Sequence, residues 1–294
     1  MASIMEKGSM FSPVLVNDLL NKVRAHSSLA LLSNQTPIPF VGSKEFTFTL
    51  DKELDIVAES GEKGVGGITV APVTIVPIKF EYGSRISDEF LYATEEEQLN
   101  ILAAFNDGFS AKVARALDLA AMHGINPRTG SASAVVGNNC FDKAVATYTT
   151  YDATKPDENL EDAIAAVTSG DGYVTGMALA PAFGAAMGKL KANGVAQFPE
   201  FRFGGNPGTL SGINVDVNRT VSDLGSTDLA IVGDFAAGFK WGYAKEIPME
   251  VIKYGDPDNS GKDLKGYNQV YLRAEVYLGW GILAPSWFAR IATA

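Results

Sequence analysis

Residues 94–124, TEEEQLNILAAFNDGFSAKVARALDLAAMHG, are the stretch on which the fold turns. Thr94 and Glu97 make a capping-box pair, in which two side chains satisfy each other's free backbone N–H groups. Glu95 and Glu96 stand in the first turn, where the helix dipole favours negative charge. Leu99, Leu102, Phe105, Phe109, Val113, Leu117 and Ala120 recur at spacings of three and four, and Gly124 supplies a stop. The pattern predicts a helix of about 30 residues, roughly 45 Å long, which exceeds the usual helix of a globular domain. Gly108 marks a close crossing or a bend within it.

Upstream the pattern turns to strand. In residues 44–51, KEFTFTLD, Phe46, Phe48 and Leu50 alternate with Thr47 and Thr49, as in a half-buried strand. A second β-branched run, residues 68–82, is interrupted by Pro72 and Pro77, which suits an edge strand. Between the two lies DKELDIVAESGEKGVGG, acidic and then glycine-rich. The whole predicts a long two-stranded hairpin with a mobile tip. Such a hairpin is marginal alone in water, so its apolar stripe asks for a partner surface. Residues 1–36 read as an arm with a short helical stripe of Leu15, Leu19, Leu20 and Val23 after Pro13. It has no core of its own and docks either on another chain or on its own domain.

Downstream, after the loop PRTGSASAVVGNN, the pattern is α/β. A helix over residues 158–167 turns Leu160, Ile164 and Val167 inward, and residues 173–179 read as a strand. Pro181 opens a helix through Phe183, Met187 and Leu190 that stops at Gly194. Strands follow in INVDVN, DLAIVGDF, PMEVIKY and the long run NQVYLRAEVYLGWGILAPSWFARI. No internal repeat or low-complexity tract is present.

Composition narrows the function. A chain of 294 residues, 46% hydrophobic and 20% charged, builds a sizeable core in one large domain or two joined lobes. No apolar run approaches the roughly 20 residues of a membrane span, and the start shows no secretory signal, so synthesis in the cytoplasm is expected. One cysteine, Cys140, excludes an internal disulfide framework. A net charge of −10 argues against nucleic-acid binding as a main role, since that rests on a basic face. It is compatible with a protein that surrounds DNA without adhering to it.

Catalytic groupings are not evident. His26 and His123 are the two histidines, without spaced partners, and both read as structural. Cys140 reads as a buried, inert thiol. Residues 255–262, GDPDNSGK, imitate a phosphate loop, but the glycine spacing is too long by one and Asp263 replaces the Ser or Thr. The same residues imitate a calcium loop, but Tyr267 stands where a bidentate glutamate is needed. A solvated turn is the expectation. No catalytic residue, metal ligand or cofactor is assigned.

The order of parts (arm, long hairpin, long capped helix, α/β lobe) resembles the major capsid proteins of tailed bacteriophages, the Hong Kong ninety-seven fold. The likeness runs over essentially the whole chain. It is strongest in the C-terminal third, through NPGTLSGINV from Asn206, IVGDF from Ile231, FKWG from Phe239, the strand carrying Arg273 and Glu275, and GILAPSWF from Gly281. The helix end ALDLAAMHG also belongs to the likeness. Gly233 and Asp234 are expected to let a core strand turn sharply. Gly204, Gly205, Gly208 and Gly212 suit tight loops where subunits crowd around an axis.

The resemblance implies an α+β capsid fold. Its parts would be an N-terminal arm (1–38), an extended β-hairpin or E-loop (39–83), a peripheral lobe with a spine helix (84–150), an axial lobe (151–245) and C-terminal strands returning to both lobes (246–294). It implies a structural, non-enzymatic protein that self-assembles through pentamers and hexamers into an icosahedral shell around double-stranded DNA, without specific binding or a membrane. It is then a virion component, made in the host bacterial cytoplasm. Implied partners are a portal, a decoration protein and a separate scaffolding protein. Many members begin with a scaffolding segment that is later removed. Here the arm starts at Met1, so the scaffold is a separate protein or the sequence is a trimmed form. Phe46, Phe48, Lys52, Glu59, Lys63, Asn268, Arg273 and Glu275 are the expected inter-subunit contacts.

Some members also cross-link themselves, joining a hairpin lysine to a neighbour's asparagine with a glutamate's help. Lys52, Lys63, Asn268 and Glu275 have a similar placement, although Asn268 and Glu275 are an odd number apart and a regular strand would point them to opposite faces. Arg273 and Glu275 share one strand face and suit plain charge pairing. An encapsulin-type nanocompartment shell is the alternative with the same fold, and an α/β enzyme with an inserted hairpin is a more distant one.

Overall fold

The long helix spans Glu95–His123, 29 residues, and both ends close as the sequence predicts. Thr94 Oγ1 accepts from the Glu97 N–H at 3.3 Å, and Glu97 Oε2 accepts from the Thr94 N–H at 3.1 Å. Gly124 takes the left-handed conformation (φ 67°) and returns its N–H to the Ala120 carbonyl. This protein, seen in a computed structural model, is described over residues 22, 23, 26–244 and 249–293, leaving aside the side chains of Phe48, Thr49, Glu95 and Met249. The expected stripe of Leu15, Leu19 and Leu20 lies outside those residues.

Burial along the helix is uneven. Ala114, Leu117, Leu119, Ala121 and Met122 are inaccessible, and every position from 116 to 123 is buried. Near its start Leu99, expected on the inward stripe, is 59% exposed and Ile101 is 40% exposed. There only Leu102 reaches a small cluster with Phe90, Val270 and Leu272.

The strand Gln269–Ile282 is the second organising element. One edge pairs antiparallel with Ile78–Ser87, and the other with Met249–Ile252 and then Phe239–Tyr243. Two runs that read as continuous strands are divided, each at a proline that has no N–H for the ladder. The run 68–82 breaks at Pro77. Ile68–Ile75 stays in the hairpin with Ser43–Leu50, and Ile78–Ser87 leaves to join the long strand. The C-terminal run breaks at the short turn Pro285–Trp287, after which Phe288–Ala292 enters a different sheet. The helix from Pro181 also ends early, at Met187. Lys191–Ala192 and Val195–Ala196 instead form a small hairpin across Asn193 and Gly194 (φ 50° and 82°), the positive pair that a tight hairpin turn requires.

The six-stranded sheet runs in the order Thr209–Leu210, Ile213–Val217, Gly176–Leu179, Asp228–Gly233, Phe288–Ala292, Tyr148–Thr150. It is covered on both faces. Met177, Leu179, Val232 and Ile291 meet Leu160, Val167, Phe183 and Met187 of the helices Pro156–Ser169 and Pro181–Met187. Ala178, Ala180, Ile231 and Phe288 meet the long helix and an aromatic cluster of Phe141, Phe235, Trp241 and Trp280. Double burial explains why Gly176–Leu179 is buried at every position instead of alternating. The expected sharp turn at Gly233 has a different basis. Gly233 has no positive φ, and a Cβ there would lie 2.4 Å from both the Trp287 carbonyl oxygen and the Phe288 ring, so close packing excludes a side chain. The turn itself is held by Asp234, which accepts from Thr175 Oγ1 and the N–H groups of Ala236 and Ala237, each at 3.1 Å. No helix among the described residues is long and apolar enough to cross a membrane.

Asp118 lies in the enclosed half of the long helix and is fully buried. It accepts from Ser27 Oγ (2.6 Å), the N–H groups of Ser28 (3.1 Å) and Leu29 (3.3 Å), and Thr220 Oγ1 (2.7 Å). Burial raises its carboxyl to about 6, against the pull of these donors. It thereby binds the start of the helix Ser28–Leu32 and the turn Arg219–Ser222 to the long helix. Asp118→Ala strands four buried donors. It is expected to cost at least about 3 kcal/mol, measured as a lower midpoint in denaturant unfolding, whereas the exposed Glu96→Ala leaves the midpoint almost unchanged.

Candidate functional site

The hairpin is the largest uncovered feature that the sequence singled out. Its register sets Phe46 opposite Pro72, Phe48 opposite Val70 and Leu50 opposite Ile68, so these positions share one face. Phe46 is 56% exposed, and Leu50, Ile68 and Val70 are exposed beside it. The other face is anchored at its base. Lys240 Nζ donates to Glu45 Oε1 at 2.6 Å, and Ile75 is wholly buried against Gly279 and Gly281. A firmly rooted ribbon therefore carries an apolar face that nothing among the described residues covers.

Residues 51–67 form the exposed tip. Lys52 Nζ donates to the Val65 carbonyl at 2.9 Å, and the Gly67 N–H donates to Asp51 Oδ1 at 2.5 Å, closing the neck. Glu59 and Lys63 are exposed beyond it. At the far end of the α/β lobe, Gly204, Gly208 and Gly212 all have positive φ. Phe203 among them is 99% exposed, in the left-handed region (φ 59°), with the Arg202 guanidinium 5.2 Å from its ring centre.

The remaining singled-out residues are held within the chain. Glu275 receives an ion pair from Lys79 at 2.6 Å, which raises the Lys79 ammonium. Arg273 donates to the Pro257 carbonyl at 3.3 Å and packs on the Tyr271 ring. Both are half-buried on one strand face, as the alternation predicts. Asn268 precedes the strand in a left-handed conformation (φ 53°), so strand alternation does not govern it, and its carbonyl accepts from Asp88 N–H at 2.9 Å. No hydrogen bond joins Lys52 or Lys63 to Asn268 among the described residues.

The loop 255–262 is tied rather than free. Arg85 donates to Asp256 (2.7 Å), to Asp258 (2.5 Å) and to the Lys262 carbonyl (2.9 Å), and it holds Asp258 well below the usual carboxylate range. A guanidinium thus supplies the cation that the acidic loop attracts. Cys140 is buried, and burial pushes its thiol up, which keeps it unreactive. His123 is not isolated. It lies with Asp142 and Asp228 in a tight group, the spacing of a metal site, but Arg290 Nη1 donates to both carboxylates and already provides the positive charge. Sequence reading missed Asp118, Arg85, Arg290 and Lys240. Only Asp118 left a signal, a carboxylate set among the inward positions Ala114, Leu117 and Ala121.

The whole chain matches solved phage structures. A chain from Mycobacterium phage Ogopogo is 32% identical, with 92% of each chain covered and a TM-score of 0.75. One from Gordonia phage Cozz is 24% identical, covering 91% of this chain and 87% of that one, also at 0.75. The capsid of an empty GTA particle has the same fold at 14% identity and a TM-score of 0.66, covering 92% and 90%. No protein-family model matches the sequence, and no curated protein does. The chain belongs to the major capsid proteins of tailed phages, the Hong Kong ninety-seven fold family, and is a structural component of the virion rather than an enzyme. A capsid shell is a homo-oligomer, so the uncovered hairpin face belongs to a subunit of a larger assembly. Excising residues 55–66 shortens the tip without touching either paired strand. The subunit is expected to keep its circular dichroism and unfolding midpoint while its yield of shells in sedimentation falls severalfold.

Proposed function

We propose that this protein assembles through pentamers and hexamers into an icosahedral shell that encloses double-stranded DNA without specific binding. The observation that carries the reading is the apolar face of the hairpin at Phe46, Leu50, Ile68 and Val70, rooted in the core and left uncovered by the described residues. Exposed apolar ribbons of this kind are stabilised by burial on a partner, and in a closed homo-oligomer that partner is a neighbouring copy. Residues 39–83 act as the E-loop, 84–150 as the peripheral lobe around its spine helix, and 151–245 as the axial lobe. Residues 246–294 return to both lobes, and the arm, 1–38, extends the contacts. The glycine turns around Phe203 meet their symmetry mates at the capsomer axis. The net charge of −10 limits adhesion of the packaged genome, because few counterions are released on contact. A separate scaffolding protein, a portal and a decoration protein complete the particle, and assembly takes place in the host bacterial cytoplasm. Negative-stain microscopy of the purified protein tests this. Closed shells with five-fold vertices are expected, and a protein that stays monomeric at high concentration overturns the reading.

Phe46, Phe48, Lys52, Glu59, Lys63, Asn268, Arg273 and Glu275 serve as contact residues in this scheme. Self-linking of Lys52 or Lys63 to Asn268 is not part of it. Condensation of an amine with an amide needs a dry pocket, and within the subunit both lysines are exposed and no such pocket is formed around them by the described residues. Glu275, the would-be proton acceptor, is engaged by Lys79. Mature shells are expected to run as a single band of monomer mass in denaturing electrophoresis. A ladder abolished by Asn268→Asp would reverse this.

A further inference from the structure

His123 faces more acceptors than a neutral imidazole can serve. Its Nδ1 lies 3.2 and 3.1 Å from the two Asp142 carboxylate oxygens, and its Nε2 lies 3.0 Å from the Thr220 carbonyl oxygen. The side chain is wholly buried, so water supplies no alternative. A neutral ring has one N–H, which would leave the other nitrogen's lone pair aimed at an oxygen. The imidazolium, with two N–H groups, satisfies both. A proton on Asp142 would be the other solution, but Arg290 Nη1 donates to Asp142 Oδ1 at 3.3 Å and favours the carboxylate.

Arg290 Nη1 also donates to both Asp228 oxygens, at 3.1 and 3.2 Å, while its Nε donates to the Val145 carbonyl at 3.2 Å. Asp228 is 1% exposed, and one of its carboxylate oxygens lies within 4.8 Å of an Asp142 oxygen. Two carboxylates this close, one of them buried, favour a shared proton. The four side chains come from four places: the last turn of the long helix, the short helix Phe141–Ala144, and the strands Asp228–Gly233 and Phe288–Ala292. They close the seam between the helix end and the six-stranded sheet. The other ionisable groups around them are Cys140 and Lys143, from the short helix and its cap. On the Thr220 side, Arg219 and Asp223 pair with each other, and Arg115 joins them.

We propose that His123, Asp142, Asp228 and Arg290 form a proton-holding latch, closed when His123 is an imidazolium and a proton is shared by Asp142 and Asp228, and loosened as these protons leave with rising pH. The balance of local forces agrees. Burial opposes the charged His123 ring, but the Asp142 carboxylate outweighs it and raises the group. Burial, and then the neighbouring Asp142, hold Asp228 up at about 7. Asp142 is lowered, its His123 and Arg290 partners overcoming its own burial. Groups raised in the folded state contribute stability that is complete below their unfolded values and lost as pH rises through the folded ones. For Asp228 that loss runs from the ordinary carboxylate range up to about pH 7, and for His123 it begins at the ordinary imidazole value and continues above it. Asp142 works the other way, and its contribution is lost only in acid.

With two histidines in the chain, histidine-labelled protein gives two ring signals, and the one missing from His123→Gln is assigned. At pH 7 both nitrogens of His123 are expected to carry protons, and the ring should titrate above 6.5. A neutral ring at pH 7 overturns the proposal. Asp228→Asn provides the second reading. Its amide donates permanently to Asp142 while its oxygen still accepts from Arg290, so the Tm of the variant relative to wild type should climb as the pH is raised from about 4 to about 7. Parallel wild-type and Asp228→Asn profiles would equally overturn the proposal. The ring measurement on the wild-type protein decides the matter if the variant does not fold.

Discussion

The Asp118 carboxylate is the constraint from which the remaining geometry follows. A buried charge is tolerated only where its acceptor capacity is filled, and here donors from residues 27–29 and from Thr220 fill it. The long helix therefore has one rotational setting relative to the helix Ser28–Leu32 and the turn at Arg219–Ser222. Ser28 Oγ then reaches Asp216 at 2.5 Å and Asn206 Nδ2 reaches it at 2.8 Å, which carries the same setting into the glycine-rich loop of the α/β lobe. At the far end of the helix the His123 group fixes the six-stranded sheet. The two hydrophobic cores on either side of that sheet are thus aligned by polar contacts at one helix, while burial of the aromatic cluster supplies most of the stabilisation.

That rigidity gives the hairpin its purpose. A two-stranded ribbon alone is marginal, but this one is rooted by Ile75 and by the Lys240–Glu45 ion pair, and it continues through Pro77 into the longest strand pairing in the molecule. It can therefore hold an apolar face away from the body without collapsing back onto it. The exposed start of the long helix, with Leu99 and Ile101 uncovered, is the same kind of feature on another side. A monomeric protein would have covered both.

Two groups of acidic side chains are each closed by an arginine. The acidic loop 255–262 closes on Arg85, and His123, Asp142 and Asp228 close on Arg290. In both cases a guanidinium from a strand distant in sequence takes the position where a metal ion would be sought. Arginine suits this because its planar fork donates to several oxygens at once and keeps its charge when partly buried.

Much was legible in the sequence because it is written in short-range terms. The capping box and Gly124 set the ends of the long helix, alternation marked Ser43–Leu50, and the ordered set of segments carried the resemblance to the phage capsid fold. What the sequence could not show depends on contacts across long separations. Whether residues 68–82 stay in one hairpin or divide at Pro77 depends on the long strand, some 190 residues away, offering an edge to Ile78–Ser87. Leu99 has the periodicity of a core residue and is exposed because no element among the described residues packs over it. Asp118, Arg85 and Arg290 follow no local pattern, since each is defined by partners from distant segments. Local propensity and periodicity determined which elements form. Only the tertiary structure decided which of their faces are covered, because burial belongs to the assembled packing and not to any one segment.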